Sequence, residues 1–291
     1  QEEEIQAIKE GFEAKYPQIT MNYFFAGTNK VLTKLATEMQ SGEISADLVW
    51  TGAPSDYRKL KENRYLSPYI SPQAININEA FMDEHHYYIG GRLMSAVIAY
   101  NTDLVSEEDA PRTWDDLLDP RWNGQIVMTD PGSSGSIKYF VGALMNSPAY
   151  GTAYFERLRE NGCMLESNST ATHLQVAHGT YAVGMDYIVS NMEEAGEPIS
   201  FRLPERDTVP IYSPMGLVAG CPNERNGRLL YDYILSKEGQ TILTEHHLHS
   251  IRDDLGNTPD SIQTVLDSRL PVNEQEISDT MEDVIDRFDR I

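Results

Sequence analysis

Three times along this chain a short apolar run breaks into a turn rich in Gly, Ser and Thr and then resumes with helical period: AGTNK at 26–30, TGAPSDY at 51–57 and DPGSSGS at 130–136. Apolar runs of roughly four to eight residues suit buried strands, whereas apolar residues at i, i+3, i+4 and i+7 mark one face of a helix. Strand, turn and helix in repetition predict an α/β protein with mainly parallel strands. In open sheets of that class ligands bind beyond the carboxyl ends of the strands, where such turns gather, so three polar turns imply a shared polar cleft.

The period places the elements. Residues 3–16 predict a helix with Ile5, Ile8 and Phe12 inward, stopped by Pro17, and 19–25 predict a strand. A second helix opens at Gly27-Thr28 with Val31, Leu32, Leu35 and Met39 on one face, and 46–50 form a buried strand leading into TGAPSDY. Residues 125–129 make another strand, after which Ile137, Phe140, Val141 and Leu144 share a helix face. With 291 residues the chain exceeds one typical domain. The apolar strands 95–100 and 215–219 flank a middle stretch with strands and helices of its own. They read as crossings between two lobes, a discontinuous first lobe of 1–101 with 214–291 and an inserted second lobe of 102–213. The acidic tail 274–288 predicts a surface helix with Ile277, Met281, Val284, Ile285 and Phe288 inward.

A formal net charge of −22, without any cluster of Lys and Arg interleaved with aromatics, argues against nucleic acid as a partner. It leaves room for a small anion, because a few oriented dipoles make a local positive pocket in an acidic protein. No apolar run approaches the roughly 18 residues of a membrane span. The first residues, Gln1-Glu2-Glu3-Glu4, already resemble a helix start, so the signal of an exported protein would lie outside this stretch. Cys163 and Cys221 are far apart and form no CxxC; both are expected to be ordinary small buried residues. His85-His86 and His246, His247 and His249 lack companion ligands and read as surface features rather than a metal site. No GxSxG elbow, phosphate loop or GxGxxG occurs, and Asp115-Asp116 and Asp253-Asp254 lie in polar stretches, so a binding protein without catalytic residues or cofactor is expected.

The serine turn carries the most specific chemistry. It sits at a helix N-terminus, where the first backbone N–H groups lack partners and the aligned dipoles favour an anion. Ser133, Ser134 and Ser136 add hydroxyls, while Gly132 and Gly135 allow close approach to the backbone. The plainer alternative is an N-cap, worth about 1 kcal/mol.

The segments RTWDDLLDPRWNGQIVMTDPGSSGS (112–136) and YDYILSKEGQTIL (231–243), with the helix and strand order from Gln1 onward, resemble the extracellular solute-binding proteins of bacterial ABC importers. The branch resembled includes ferric-ion, phosphonate, sugar-phosphate and thiamine binders. The resemblance implies the type 2 periplasmic-binding fold: two α/β lobes, two hinge strands, a ligand cleft between the lobes and lobe closure sensed by the importer's permease. It also implies a monomer outside the cytoplasm, in a periplasm or lipid-anchored at a cell surface. Family members usually begin with a strand ahead of EEEIQAIKEGFEAKYP, which this sequence lacks.

By the same resemblance, Ser133, Ser134, Gly135 and Ser136 would bind a phosphoryl or phosphonyl group from one lobe and Gly27 and Thr28 from the other. Asp186-Tyr187 stand where ferric binders carry adjacent tyrosines. Asp186 would accept from an amine or sugar hydroxyls of the ligand, or serve with Tyr187 as an iron ligand; the alternative is a core tyrosine beside a loop carboxylate. Trp50 and Thr51 end a strand at the same edge, where Trp50 either packs on the ligand or belongs to the core. The expected ligand is an aminoalkylphosphonate or a sugar phosphate, with ferric iron and a synergistic anion as the competing reading and a receptor's sensing module as a third.

Overall fold

The computed structural model describes residues 2–187, 195–246, 248–255 and 262–291, without the side chains of Tyr187 and of 262–264. The chain folds as two compact units, Gln1–Leu93 with Tyr212–Thr258 and Met94–Ile211 with Pro259–Ile291.

In the first unit, α1 (Glu2–Lys15) buries Ile8 and Phe12, and Ile5 is half-buried. Helix α2 (Thr28–Ser41) sends Leu35 into a cluster with Val49, Tyr57, Leu60, Leu66 and Val218, and Val31, Leu32 and Met39 pack against it. Strands β1 (Leu48–Trp50), β2 (Leu66–Ser67) and β3 (Ile89–Gly90) all pair antiparallel with β10 (Pro214–Val218). Helix α3 (Pro54–Glu62) follows β1, and α7 (Glu224–Leu235) and α8 (Lys237–Glu245) follow β10.

The expected strand at 19–25 does not form. Met21 N donates to the Glu13 carboxylate at 2.8 Å and Met21 O accepts from Lys9, so its backbone is satisfied by side chains of α1 rather than by a neighbouring strand. Phe24 and Phe25 are left about half exposed, at 54% and 50%.

One buried carboxylate ties α2 to the segment entering β1. Glu38 accepts from Ser45 N at 2.9 Å, Ser45 Oγ at 2.7 Å and Ala46 N at 3.3 Å, and it pairs with Lys34. Burial opposes its charge, but the hydrogen bonds from Lys34, Ser45 and Ala46 outweigh burial and bring its pKa from 4.5 down to about 2. A depressed carboxyl stabilises the fold above its unfolded pKa and stops doing so as pH falls through the folded value. Glu38→Gln is therefore expected to cost about 1–2 kcal/mol at pH 7 in urea unfolding. The gap to the natural protein should close between pH 4.5 and 2; a constant gap would refute the ionic role.

In the second unit β4 (Met94–Asn101), buried along its whole length, lies inside the order β6-β5-β7-β4-β8, with β9 (Pro210–Ile211) also on β4. Strand β5 (Ile126–Thr129) runs parallel to β6 (Met164–Glu166) and β7 (Val183–Tyr187), whereas β4 is antiparallel to β7, β8 (Ile199–Arg202) and β9. Parallel pairing is thus confined, among the described residues, to the flanks of β5. Helices α4 (Gly135–Asn146), α5 (Gly151–Glu160) and α6 (Ser169–Ala177) supply the crossovers there. Strands β4 and β10 reach their sheets from the other segment of the chain, so no crossover helix imposes a direction on them.

The sequence placed 94–101 and the tail in the first lobe; both lie in the second unit. Strand β4 is the partner of β7 and β8. After α9 (Ile262–Asp267), the tail helix α10 (Glu274–Phe288) buries Ile277, Met281, Val284 and Phe288. It packs so closely on α4 that a Cβ at Gly142 would lie 2.8 Å from Met281 Cε, and Asn146 Nδ2 donates to Thr280 Oγ1 at 3.0 Å. The apolar face was legible in the sequence, but its partner helix was not.

Candidate functional site

In the second unit the serine turn connects β5 to α4, as expected. Ser134 is the N-cap of α4, and its Oγ accepts from Ile137 N at 3.4 Å. A hydroxyl that accepts in a cap keeps its proton to donate. Gly135 N–H, the first of the helix, makes no hydrogen bond among the described residues. Ser133 is differently engaged: Oγ donates to Asp130 O at 2.8 Å, and the N–H groups of Ser133 and Ser134 go to the same carbonyl at 3.1 and 3.3 Å. The donors that the sequence assigned to Ser133 are therefore spent on the turn. Ser136 is buried in the first turn of α4.

Asp186 is no loop carboxylate. It lies within β7, 1% exposed, opposite Val97 of β4. Its Oδ2 lies 3.2 Å from Thr129 Oγ1 at the end of β5 and 3.2 Å from His173 Nε2 on α6. Thr129 Oγ1 also meets Thr172 Oγ1 at 2.8 Å and Ser169 Oγ at 3.4 Å. The carboxylate thus faces an interior cluster of three hydroxyls and an imidazole. Tyr187 follows as the last residue of β7, paired with Ala96; its side chain is outside the described residues.

Sequence reasoning missed Thr129, Ser169, Thr172 and His173. A signal was present: ESNSTAT at 166–172 is a fourth turn of the same kind after a short strand, with Asn168 capping α6 by accepting from Ala171 N at 2.9 Å.

In the first unit the other two turns also precede helices. Gly27 is the N-cap of α2 and has no side chain to cap it; Thr28, the first helical residue, is buried. Trp50 ends β1. Its indole N–H donates to Ser213 O at 2.8 Å, the Arg92 guanidinium lies 5.6 Å over its ring, and a Cβ on Gly91 would sit 2.7 Å from the indole nitrogen. Arg92 in turn pairs with buried Glu4. Trp50 is thus built into the unit, with a cation of the protein's own over its ring. Thr51 is 7% exposed, and its N–H is shared between Pro214 O at 3.2 Å and Tyr57 Oη at 3.1 Å. Its Oγ1 has no hydrogen-bond partner.

Both cysteines are free and half-buried; burial pushes the Cys163 thiol up to about 12, which keeps it unreactive. Among the described residues no group of three or more His, Cys, Asp and Glu could hold a metal ion, and no helix is long and apolar enough to cross a membrane. His85 Nδ1 lies 3.2 Å from Lys61 Nζ at the surface, and His247 lies outside the described residues.

The family model described as bacterial extracellular solute-binding protein matches residues 44–260. A protein of Salmonella typhimurium, named as a candidate 2-aminoethylphosphonate-binding periplasmic protein, is 25% identical over 237 residues, which cover 78% of this chain and 68% of its own. A Haemophilus influenzae protein described as uncharacterized is 24% identical over 245 residues, 79% of this chain and 69% of its own. Among solved structures, the periplasmic binding protein AfuA from Actinobacillus pleuropneumoniae, with fructose-6-phosphate bound, aligns at a TM-score of 0.83 with 22% identity over 98% of this chain and 93% of its own. Iron-bound HitA from Pseudomonas aeruginosa aligns at 0.85 with 16% identity, over 98% and 95%. The fold is accordingly that of the type 2 periplasmic binding proteins.

Proposed function

The chain belongs to the bacterial extracellular solute-binding protein family, and from that premise we propose that it captures a small phosphorylated or phosphonate solute, an aminoalkylphosphonate or a sugar phosphate, outside the cytoplasm and hands it to the permease of an ABC importer. One observation carries the ligand class. At the N-terminus of α4 the Gly135 N–H makes no hydrogen bond among the described residues, and the Ser134 hydroxyl keeps its proton while capping. Two donors at the positive end of a helix dipole suit a group with several peripheral oxygens. Ser136 completes the second unit's set, and Gly27, Thr28, Trp50 and Thr51 are the first unit's candidates for the same ligand. The Salmonella relative's name and the sugar phosphate bound to AfuA support this class. The role is binding, not catalysis.

A thermal-shift screen of dialysed protein against phosphate, 2-aminoethylphosphonate, hexose phosphates and ferric citrate tests the reading. A ligand at 100 times its dissociation constant adds about 2.7 kcal/mol, and an organophosphorus compound is expected to stabilise more than inorganic phosphate. Replacing Ser134 and Ser136 together by alanine is expected to weaken that ligand by about 1–3 kcal/mol per charge-assisted bond lost. Titration calorimetry well below the melting temperature separates this from the lost cap; unchanged affinity would place the anion elsewhere. Iron is disfavoured, because Asp186 is sealed against His173 and Thr129. Ferric loading is expected to leave the protein colourless, and a visible phenolate band would overturn that.

A further inference from the structure

We infer that the Thr51 hydroxyl, in the β1–α3 turn, is a specificity-determining donor for a hydrogen-bond-accepting oxygen of the ligand, a sugar hydroxyl or carboxylate rather than an ammonium. The inference rests on the organophosphorus reading above and narrows it to ligands that carry such an oxygen beside the phosphoryl group.

Two independent observations meet at this turn. The first is the start of α3, a nine-residue helix whose N-cap, Ala53, supplies no side-chain hydrogen bond and whose first residues Ala53, Pro54 and Ser55 are buried. A helix start withdrawn from water ordinarily has a capping side chain, because its partial positive charge and its first N–H groups otherwise lose hydration. The second is Thr51 itself, 7% exposed, with an Oγ1 that meets no acceptor or donor although its backbone N–H is doubly held by Pro214 O and Tyr57 Oη. Tyr57 Oη donates onward to Val49 O at 3.1 Å, so the turn is pinned from behind while the threonine hydroxyl is left over.

Buried hydroxyls are ordinarily paired, and one that is not costs stability that a valine in its place would not. A threonine kept there is accounted for by a partner that comes and goes. A single χ1 step exchanges its methyl and hydroxyl positions and presents the oxygen without moving the backbone. The potential at a helix start favours the hydroxyl as donor, hence an acceptor oxygen on the ligand. Trp50, the neighbouring residue, already carries the guanidinium of Arg92 over its ring, which leaves an ammonium of the ligand poorly matched there.

The test uses Thr51→Val, of the same shape, and Thr51→Ser, which retains the hydroxyl. Each is measured for ligand-free melting and for affinity towards a hexose 6-phosphate, 2-aminoethylphosphonate and ethylphosphonate. Thr51→Val is expected to melt at or about 1–3 °C above the natural protein. It is expected to bind the hexose phosphate about 3- to 10-fold more weakly and to leave the other two unchanged; Thr51→Ser should keep hexose phosphate affinity within about twofold. A lower melting temperature for Thr51→Val would make the hydroxyl structural and overturn the inference, as would an equal loss for all three compounds or a loss confined to 2-aminoethylphosphonate. Tight organophosphate binding that Thr51→Val does not alter overturns this inference alone. A natural protein that binds none of the three overturns the organophosphorus reading, and the inference with it.

Discussion

Asp186→Ala is expected to lower stability by about 3–5 kcal/mol, because it removes the acceptor around which an interior polar cluster is arranged. The carboxylate side chain is fully buried, with His173 Nε2 and Thr129 Oγ1 each 3.2 Å from Oδ2. Alanine would leave the imidazole and the hydroxyl facing a cavity, whereas asparagine keeps the shape and one acceptor. Asp186→Asn should therefore cost less, about 1–2 kcal/mol. Urea unfolding at neutral pH measures both. Pairing each substitution with His173→Gln should give a coupling energy above about 1 kcal/mol, since the two side chains are in contact. Additive losses would show that His173 does not hold the carboxylate. Asp186→Asn is also expected to change discrimination among ligands sharing one phosphoryl group, by loosening the cluster beside β5 rather than by direct contact.

Arg252→Met in the first unit is expected to cost a similar 3–5 kcal/mol. Arg252 is 2% exposed and forms a two-pronged pair with Asp254 at 2.7 and 3.0 Å; it also donates to Gln73 Oε1 and Leu235 O, both at 2.9 Å. Methionine fills the space and leaves three acceptors without their donor. The pH dependence distinguishes lost charge from lost packing. Hydrogen bonding from Arg252, helped by Lys237, holds the Asp254 carboxyl at about 2, below its ordinary 3.8. The folded pKa is the lower one, so this contribution is complete above pH 3.8 and is lost as pH falls towards 2. The difference between natural protein and variant should narrow over that interval in urea titrations. A difference independent of pH would assign the effect to packing.

Much of the architecture was legible locally. The turns AGTNK, TGAPSDY and DPGSSGS do open α2, α3 and α4, because capping residues and apolar period act within a few residues of chain. The strand expected at 19–25 failed for a non-local reason: alternation makes a segment able to pair, and here Glu13 and Lys9 took its backbone groups first. The predominance of parallel pairing failed similarly, since strand direction follows from where a strand enters its sheet, and β4 and β10 enter from the other segment of the chain.

The sequence by itself determined the class of fold, the positions of three polar helix starts and the choice of the serine turn as the place for an anion. Each follows from residue types within about two helical turns of one another. Only the tertiary structure decided which donors remain for a ligand. It committed Ser133 to Asp130, gave Trp50 the guanidinium of Arg92, closed His173 and Thr129 around Asp186, and left the Thr51 hydroxyl without a partner. A side chain's hydrogen-bonding capacity is written in its chemistry, but whether that capacity is already used depends on neighbours far away in sequence.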